Sequence, residues 1–208
     1  MEASGSSGDG RDGIDLHCGG MTTLLRLKPT SNGSEMPKPA RSASKSASAR
    51  RAASDSRRFW LVKSEPGEFS YDDLEASPDR TTCWDGVRNY AARGHLRAMK
   101  PGDLVLFYHS GADPTAVVGI AEVVREAYPD DTAFDRKDPH FDPKSKKDEP
   151  TWFMVDLRAV RPLERPVTLD EIKRTKGLEQ MALVRIGRLS VQPVTPREYD
   201  TITALARR

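Results

Sequence analysis

The chain has 208 residues, of which 37% are hydrophobic, which suits one domain with a sizeable core plus a polar extension. Its 33 lysines and arginines nearly balance 31 aspartates and glutamates, so any affinity for nucleic acid must come from a local patch. The two cysteines, Cys18 and Cys83, exclude a disulfide framework and indicate a reducing compartment. No apolar run is long enough to span a bilayer. We therefore expect an intracellular, cytoplasmic protein, nuclear in a eukaryote, with no membrane partner.

The N-terminal residues 1–56 are predicted to be a disordered tail rich in serine, alanine and basic residues, ahead of a folded domain over 57–208. Such a composition cannot bury enough apolar surface to offset the entropy of ordering. The tail is either inert or a basic arm that contacts phosphates. It is equally compatible with an upstream extension from a misplaced start codon, in which case Met21 or Met36 is the true start.

Three elements are predicted in the first part of the domain. Phe59–Lys63 is aromatic and β-branched, which predicts a strand. Ser70 and Asp73 form a capping-box variant that opens a short helix, ended by Pro78. Tyr90–Met99 carries apolar residues at helical spacing and predicts a second helix.

Three strands are predicted in the middle of the domain, at Leu104–His109, Ala116–Val124 and Trp152–Val160. The first is almost continuously apolar, so it should be buried on both faces. Gly119 interrupts the second and indicates a bulge or bend. Tyr128–Pro150 is predicted to be a long polar loop, and loops of that length in a compact domain are often functional.

The C-terminal part alternates between short helices and a strand. Thr168 with Glu171 forms a capping box, and Leu178–Val184 predicts a further helix. Arg188–Val194 predicts a strand, and Thr195 caps the closing helix. Short strands interrupted by short helices indicate an α+β domain with a bent or barrel-like sheet and helices at its edges.

The stretch Thr81–Arg93, TTCWDGVRNYAAR, combines an aromatic ring, a glycine turn and several fork-shaped hydrogen-bonding groups. Trp84 can stack on a flat ring, while Asn89 carries both a donor and an acceptor for a base edge. Arg93 can hold a phosphate without reading the base. The structural alternative is a strand end whose tryptophan is part of the core and whose arginines pair with nearby acids.

An enzyme is the competing hypothesis. Cys83 could be a nucleophile with His109 or His95 as its base, and Asp85 with Glu65 could supply an acid and a base. A cysteine inside a strand is more often a small buried hydrophobe, however. The sequence also lacks a phosphate-binding glycine loop, zinc-ligand spacing and a nucleotide-cofactor fingerprint. A binding module is therefore favoured, with no catalytic residue, no metal and no cofactor expected.

Six motifs occur in an order that resembles the EVE-domain family, over Phe59 to about Leu205. They are KSEP (63–66), WDGVRNYAAR (84–93), GDLVLFYHS (102–110), VVGIAEVV (117–124), FDPKSKKDEPTW (141–152) and RLSVQPV (188–194). The resemblance implies an α+β fold, a PUA-like β pseudo-barrel with short peripheral helices. It also implies a non-catalytic pocket that receives a flipped modified base, with a modified cytosine such as 5-methylcytosine in DNA placed ahead of modified RNA. We expect the chain to be a monomer.

We expect the base pocket to be formed by Ser64, Trp84, Val87, Asn89, His109, Ser110, Ser190 and Gln192. We expect the phosphate or backbone contacts to be Lys63, Arg88, Arg93 and Lys144. Several of these assignments have a structural alternative. Lys63 and Lys144 are alternatively ordinary solvated charges. Ser190 and Gln192 alternate with apolar residues, as on the polar face of a strand. Arg88 is alternatively a structural partner of Asp85 or Glu65, and His109 a hydrogen-bonded core histidine.

Overall fold

The computed structural model describes residues 57–207; the predicted tail and its alternatives fall on residues 1–56, which lie outside the described part together with residue 208. Six strands are described: β1 (Phe59–Ser64), β2 (Thr81–Trp84), β3 (Leu104–His109), β4 (Ala116–Pro129), β5 (Phe153–Thr168) and β6 (Val191–Val194). Five α-helices accompany them: α1 (Tyr71–Ala76), α2 (Tyr90–Ala98), α3 (Leu169–Arg174), α4 (Ala182–Arg185) and α5 (Pro196–Leu205). Short 3₁₀ segments cover Pro78–Arg80 and Asp131–Phe134.

The strands form one sheet in the order β2-β5-β4-β3-β1-β6. β1 runs parallel to β3 and pairs Ser64 with His109, so the carboxyl ends of these two strands lie side by side. The other neighbours are antiparallel. The predicted α+β, PUA-like architecture is confirmed, and the sheet stays open, with β2 and β6 as its edges.

The long strands β4 and β5 bend, because their register shifts at several points, the first between Val117 and Gly119. At Gly119 a Cβ atom would collide with the ring of Tyr71, whose hydroxyl donates to the carbonyl oxygen of Ile120 at 2.7 Å. The predicted bulge at Gly119 is confirmed, and a close approach of an aromatic ring accounts for the glycine.

Each face of the sheet carries its own hydrophobic cluster. We call inner the cluster that contains Trp84, Leu96 of α2 and Phe107. We call outer the cluster that contains Leu61 and the buried residues of α3–α5. Successive residues of β1 and β3 point in turn to the inner and the outer cluster. Both strands are therefore buried on both faces, as predicted for β3.

The local helix signals are confirmed where a cap fixes the end. Ser70 with Asp73 and Thr195 with Glu198 both form complete capping boxes at α1 and α5. Thr168 accepts from the Glu171 N–H at 3.2 Å, which is half of the predicted box. The Glu171 carboxylate instead receives two hydrogen bonds from Arg165, at 2.7 and 2.8 Å.

Several predicted bounds were wrong. β4 continues to Pro129 and β5 continues to Thr168, because the two strands pair with each other over most of their length. The helix predicted at Leu178–Val184 forms only over Ala182–Arg185, since Leu178 and Met181 are buried in turns. The strand predicted at Arg188–Val194 begins at Val191.

Candidate functional site

The loop between β2 and α2 is shaped by a glycine and an asparagine. Gly86 has φ of +68°, which favours glycine, and it turns the chain after Trp84. Asn89 is the N-cap of α2, and its Oδ1 atom accepts from the backbone N–H groups of Ala91 and Ala92 at 2.9 and 3.0 Å. Its amide oxygen is therefore used within the helix, and only the amide NH₂ group is left to face a ligand.

Trp84 lies mostly in the inner cluster and is 8% exposed. Its ring meets that of Phe107 edge-to-face, with 5.4 Å between centroids. Val87, 7% exposed, belongs to the same cluster. Trp84 is therefore part of the core, as its structural alternative predicted, and only a small part of the ring is exposed to solvent.

Four of the expected pocket residues gather around the carboxyl ends of β1 and β3. The Ser110 backbone N–H donates to the Ser64 carbonyl oxygen at 2.8 Å, and Ser64 pairs with His109. The Ser190 carbonyl oxygen accepts from the N–H of Lys63 at 2.9 Å. This group includes small hydroxyl side chains and one imidazole.

The imidazole of His109 connects this group to Trp84. Its Nε2 atom accepts from the backbone N–H of Tyr71 at 3.1 Å, so in the neutral ring the proton is on Nδ1. Burial lowers the pKa of His109. The Phe107 ring packs against both residues, with its centroid 5.7 Å from that of His109 and 5.4 Å from that of Trp84. The histidine is hydrogen-bonded, as its structural alternative predicted, and sits beside the inner aromatic cluster.

Gln192 lies on the other face of the sheet. It pairs with Leu61, which belongs to the outer cluster, whereas the neighbouring Val191 pairs with Val62 of the inner cluster. Directly opposite residues point to the same side of a sheet, so the fully buried Gln192 is separated from Trp84. Its Nε2 donates to the carbonyl oxygen of Leu189 at 2.8 Å, and its Oε1 has no partner among residues 57–207. This placement does not support the expected contact with a base.

Arg88 forms a buried ion pair that the sequence did not reveal. Its Nη1 atom lies 2.7 Å from Oδ2 of Asp130, a carboxylate with no exposed surface. Asp130 also accepts from the Gly86 N–H at 3.0 Å and from both the N–H and hydroxyl of Thr132. The pair ties the loop after β2 to the segment after β4.

The other two nitrogens of Arg88 also donate hydrogen bonds, Nε to the His140 carbonyl oxygen at 2.7 Å and Nη2 to the Thr132 hydroxyl at 2.8 Å. Arg88 does form a structural ion pair, as its alternative predicted, but the partner is Asp130 and not Asp85 or Glu65. A guanidinium with this many internal acceptors has little capacity left for a phosphate.

The two lysines differ in placement. Lys63 donates from Nζ to the Gly187 carbonyl oxygen at 2.8 Å and lies 5.6 Å from the Tyr108 ring, on the outer side of the sheet. Burial lowers the pKa of Lys63. Lys144 is exposed in the loop before β5, where its backbone N–H donates to the Asp142 carboxylate at 2.9 Å.

Arg93 belongs to an aromatic stack that the sequence did not single out. Its guanidinium carbon lies 4.8 Å from the ring centroid of Tyr90 and 6.0 Å from that of Trp152, and the two rings are 5.0 Å apart. We call Tyr90, Arg93 and Trp152 the Tyr90 stack. The available signal was the position of Tyr90 directly after Asn89, and of Trp152 at the end of the long loop.

The thiol of the enzyme hypothesis lies within β2. Cys83 is buried, as predicted, and donates to the Asp85 carboxylate at 3.6 Å. Burial, with a smaller contribution from the charge of Asp130, raises the pKa of Asp85. No group of histidine, cysteine and carboxylate side chains within residues 57–207 has the arrangement of a metal site. No helix in the same part of the chain is long and apolar enough to span a membrane.

A surface depression of about 650 Å³ lies elsewhere, between α5 and the segment that follows α3. Its lining consists of Thr175, Lys176, Arg197, Asp200, Thr201, Ala204 and Leu205. None of the expected site residues lines it. The depression does not coincide with the aromatic and hydroxyl groups described above.

Comparison with known proteins gives consistent matches. The family model for the EVE domain matches residues 58–205. Thymocyte nuclear protein 1 of Rattus norvegicus is 48% identical over 164 residues, which cover 71% of this chain and 73% of that protein. The human protein of the same name is 46% identical over 163 residues, covering 70% of this chain and 72% of that protein.

Solved structures agree with the fold. The DUF55 domain of human thymocyte nuclear protein 1 matches with a TM-score of 0.68 and 45% identity, covering 71% of this chain and 98% of that one. The human THYN1 protein in complex with DNA containing 5-methylcytosine matches with a TM-score of 0.70 and 43% identity. That match covers 73% of this chain and 98% of the other.

Proposed function

This chain belongs to the EVE domain family, and on that premise we propose that it is a non-catalytic, monomeric module that binds nucleic acid carrying a modified base. The preferred ligand is a modified cytosine in DNA, taken out of the base stack. The observation that carries the proposal is the complex of a 43% identical protein with DNA that contains 5-methylcytosine.

The chemistry of the inner face suits a cytosine ring. Taking a base out of a duplex costs a few kcal/mol, and stacking on an aromatic side chain returns roughly 1–3 kcal/mol. The small exposed part of the Trp84 ring supplies a share of that surface. The Nδ1–H group of His109 is a donor suited to O2 or N3 of cytosine. The hydroxyls of Ser64 and Ser110 donate to the carbonyl oxygens of Phe69 at 2.6 Å and Ser64 at 3.3 Å, so they offer a base their lone pairs as acceptors. Val87 adds apolar contact for a methyl group.

The phosphate contacts are assigned to Arg93 and Lys144. Lys144 is exposed, and Arg93 lies in the Tyr90 stack on the helix that Asn89 caps. Arg88 is excluded from this set because Asp130 and two further acceptors hold its guanidinium. Such contacts add affinity that falls with salt and is blind to the base.

The proposal is tested by competition between matched oligonucleotides. A duplex with one 5-methylcytosine, its unmodified counterpart and the corresponding RNAs compete for the chain at fixed salt. We expect the methylated DNA to bind most tightly. Equal affinity for methylated and unmodified DNA would contradict the proposal. A preference for modified RNA would instead support the alternative, a module that binds modified RNA. Arg197→Ala, on the distant α5, serves as the control variant.

A nuclear location in a eukaryotic cell is part of the same proposal. It is supported by the name of the relatives, thymocyte nuclear protein 1. Imaging of a fluorescent fusion of the full chain tests it. We expect enrichment over DNA, and exclusion from the nucleus would contradict this part of the proposal.

A further inference from the structure

Tyr90 presents a large aromatic ring to solvent at the first position of α2, directly after Asn89. It is 66% exposed, more than the other large hydrophobic side chains exposed within residues 57–207. One side of the ring is covered by its own stack, with Arg93 at 4.8 Å and Trp152 at 5.0 Å. Single exposed apolar residues are common and need no explanation. A ring supported from beneath by an arginine and a second aromatic is a different arrangement.

The supporting residues are fixed. Trp152 is 5% exposed, and its Nε1 atom donates to the Asp142 carboxylate at 2.7 Å. Arg93 donates from Nη1 to the carbonyl oxygen of Thr151 at 3.0 Å. The guanidinium of Arg88 covers Trp152 at 5.6 Å. Tyr90 is therefore presented in a defined orientation, which reduces the entropy lost when a flat ligand stacks on it.

The stack carries positive charge. Arg88 is neutralised by Asp130, but neither Arg93 nor Arg97 forms an ion pair with another residue of 57–207. Arg97 lies over the ring of Phe153 at 4.8 Å, one turn along α2 from Arg93. Cations interleaved with aromatic rings match a ligand that alternates flat rings with anions, which is a nucleic-acid strand.

We propose that Tyr90 is a stacking platform for the nucleobase that flanks the bound modified base, with Arg93 on the phosphate between the two. The inference rests on the proposed function and adds a second base contact to it. Tyr90 follows the helix cap Asn89 directly and is six positions after Trp84, so one loop supplies both contacts. Because every base has a π-face, the platform adds affinity with little sequence or methyl preference.

A double-mutant cycle between protein and ligand tests the platform. The parent, Tyr90→Ala and Tyr90→Phe are titrated with methylated DNA that has intact flanks or an abasic site on either side of the methylcytosine. Tyr90→Ala should weaken binding to intact DNA by roughly 5- to 150-fold, the scale of one lost stack. Tyr90→Phe should bind like the parent. One of the two abasic ligands lacks the base that stacks on Tyr90, and Tyr90→Ala and the parent should bind that ligand equally.

The matched control is Ile186→Ala, which removes another exposed hydrophobic side chain and should leave all affinities unchanged. Melting curves establish that each variant is folded. Equal binding of intact DNA by Tyr90→Ala and the parent would overturn the platform and assign this ring to a protein partner. A loss that persists at full size with both abasic ligands would also overturn it. If the protein prefers methylated DNA but the effect of Tyr90→Ala does not depend on the flanking base, the platform alone is refuted. If the effect of Tyr90→Ala depends on the flanking base but the protein does not prefer methylated DNA, the proposed function is refuted and the platform stands.

Discussion

The ion pair between Arg88 and Asp130 gives the sharpest prediction about what holds the candidate site in place. Arg88→Ala removes the counter-charge of the Asp130 carboxylate, which has no exposed surface in the parent. Removing one partner of a buried pair typically costs about 3–5 kcal/mol. Asp130 retains hydrogen bonds from Gly86 and Thr132, so we expect the lower end of that range.

For a domain of this size, a loss of about 3 kcal/mol lowers the melting temperature by roughly 6–12 °C. The assay is thermal and urea unfolding of the parent, Arg88→Ala and Arg88→Ala/Asp130→Ala. The double variant should recover part of the loss, because it no longer buries an unpaired carboxylate. Since Arg88 is assigned to structure, the dependence of DNA affinity on salt should keep its slope. A melting temperature within 1 °C of the parent, together with a shallower salt slope, would refute this reasoning and return Arg88 to the phosphate contacts.

Three further predictions concern residues in and around the site. Lys144→Ala should weaken methylated and unmodified DNA equally and reduce the salt slope by about one, as titrations at several salt concentrations would reveal. Gln192→Leu should lower the free energy of unfolding by about 1–3 kcal/mol, because buried carbonyl oxygens lose their donor, with no change in methyl preference. Burial lowers the pKa of His109 below 6.5, so on acidification the unfolded chain takes up the proton first. The stability due to the neutral ring is complete above pH 6.5 and lost as the pH falls, so His109→Gln should lose less stability than the parent between pH 7 and pH 5; an identical loss would assign the acid sensitivity to other groups.

The elements that could be predicted from sequence are those fixed by neighbouring residues. Ser70 with Asp73 and Thr195 with Glu198 mark helix starts because a cap is a contact over three positions. The apolar run of β3 predicted burial on both faces for a similarly local reason. Gly119 marked a bulge, although the cause, a ring from α1, could not be read from its surroundings.

The parts of the site that were missed depend on contacts between distant segments. Arg88 and Asp130 are 42 positions apart, so nothing near Arg88 identified its partner. Gln192 was placed with the pocket because its amide carries both a donor and an acceptor for a base edge. The helices that cover the outer face of the sheet bury it on the side away from Trp84. The Tyr90 stack likewise joins the start of α2 to Trp152, at the end of a long loop.

The central claim is that the base is bound outside the stack, and the most direct measurement compares affinities for methylcytosine in three settings. The same methylated strand is titrated as a matched duplex, as a duplex with a mismatch opposite the methylcytosine, and as a single strand. Unpairing lowers the energy needed to take the base out, which is a few kcal/mol in a matched duplex. We expect the mismatched duplex to bind more tightly than the matched one, by roughly 10- to 100-fold for about 1.4–2.7 kcal/mol. Equal affinity for the matched and mismatched duplexes would contradict it.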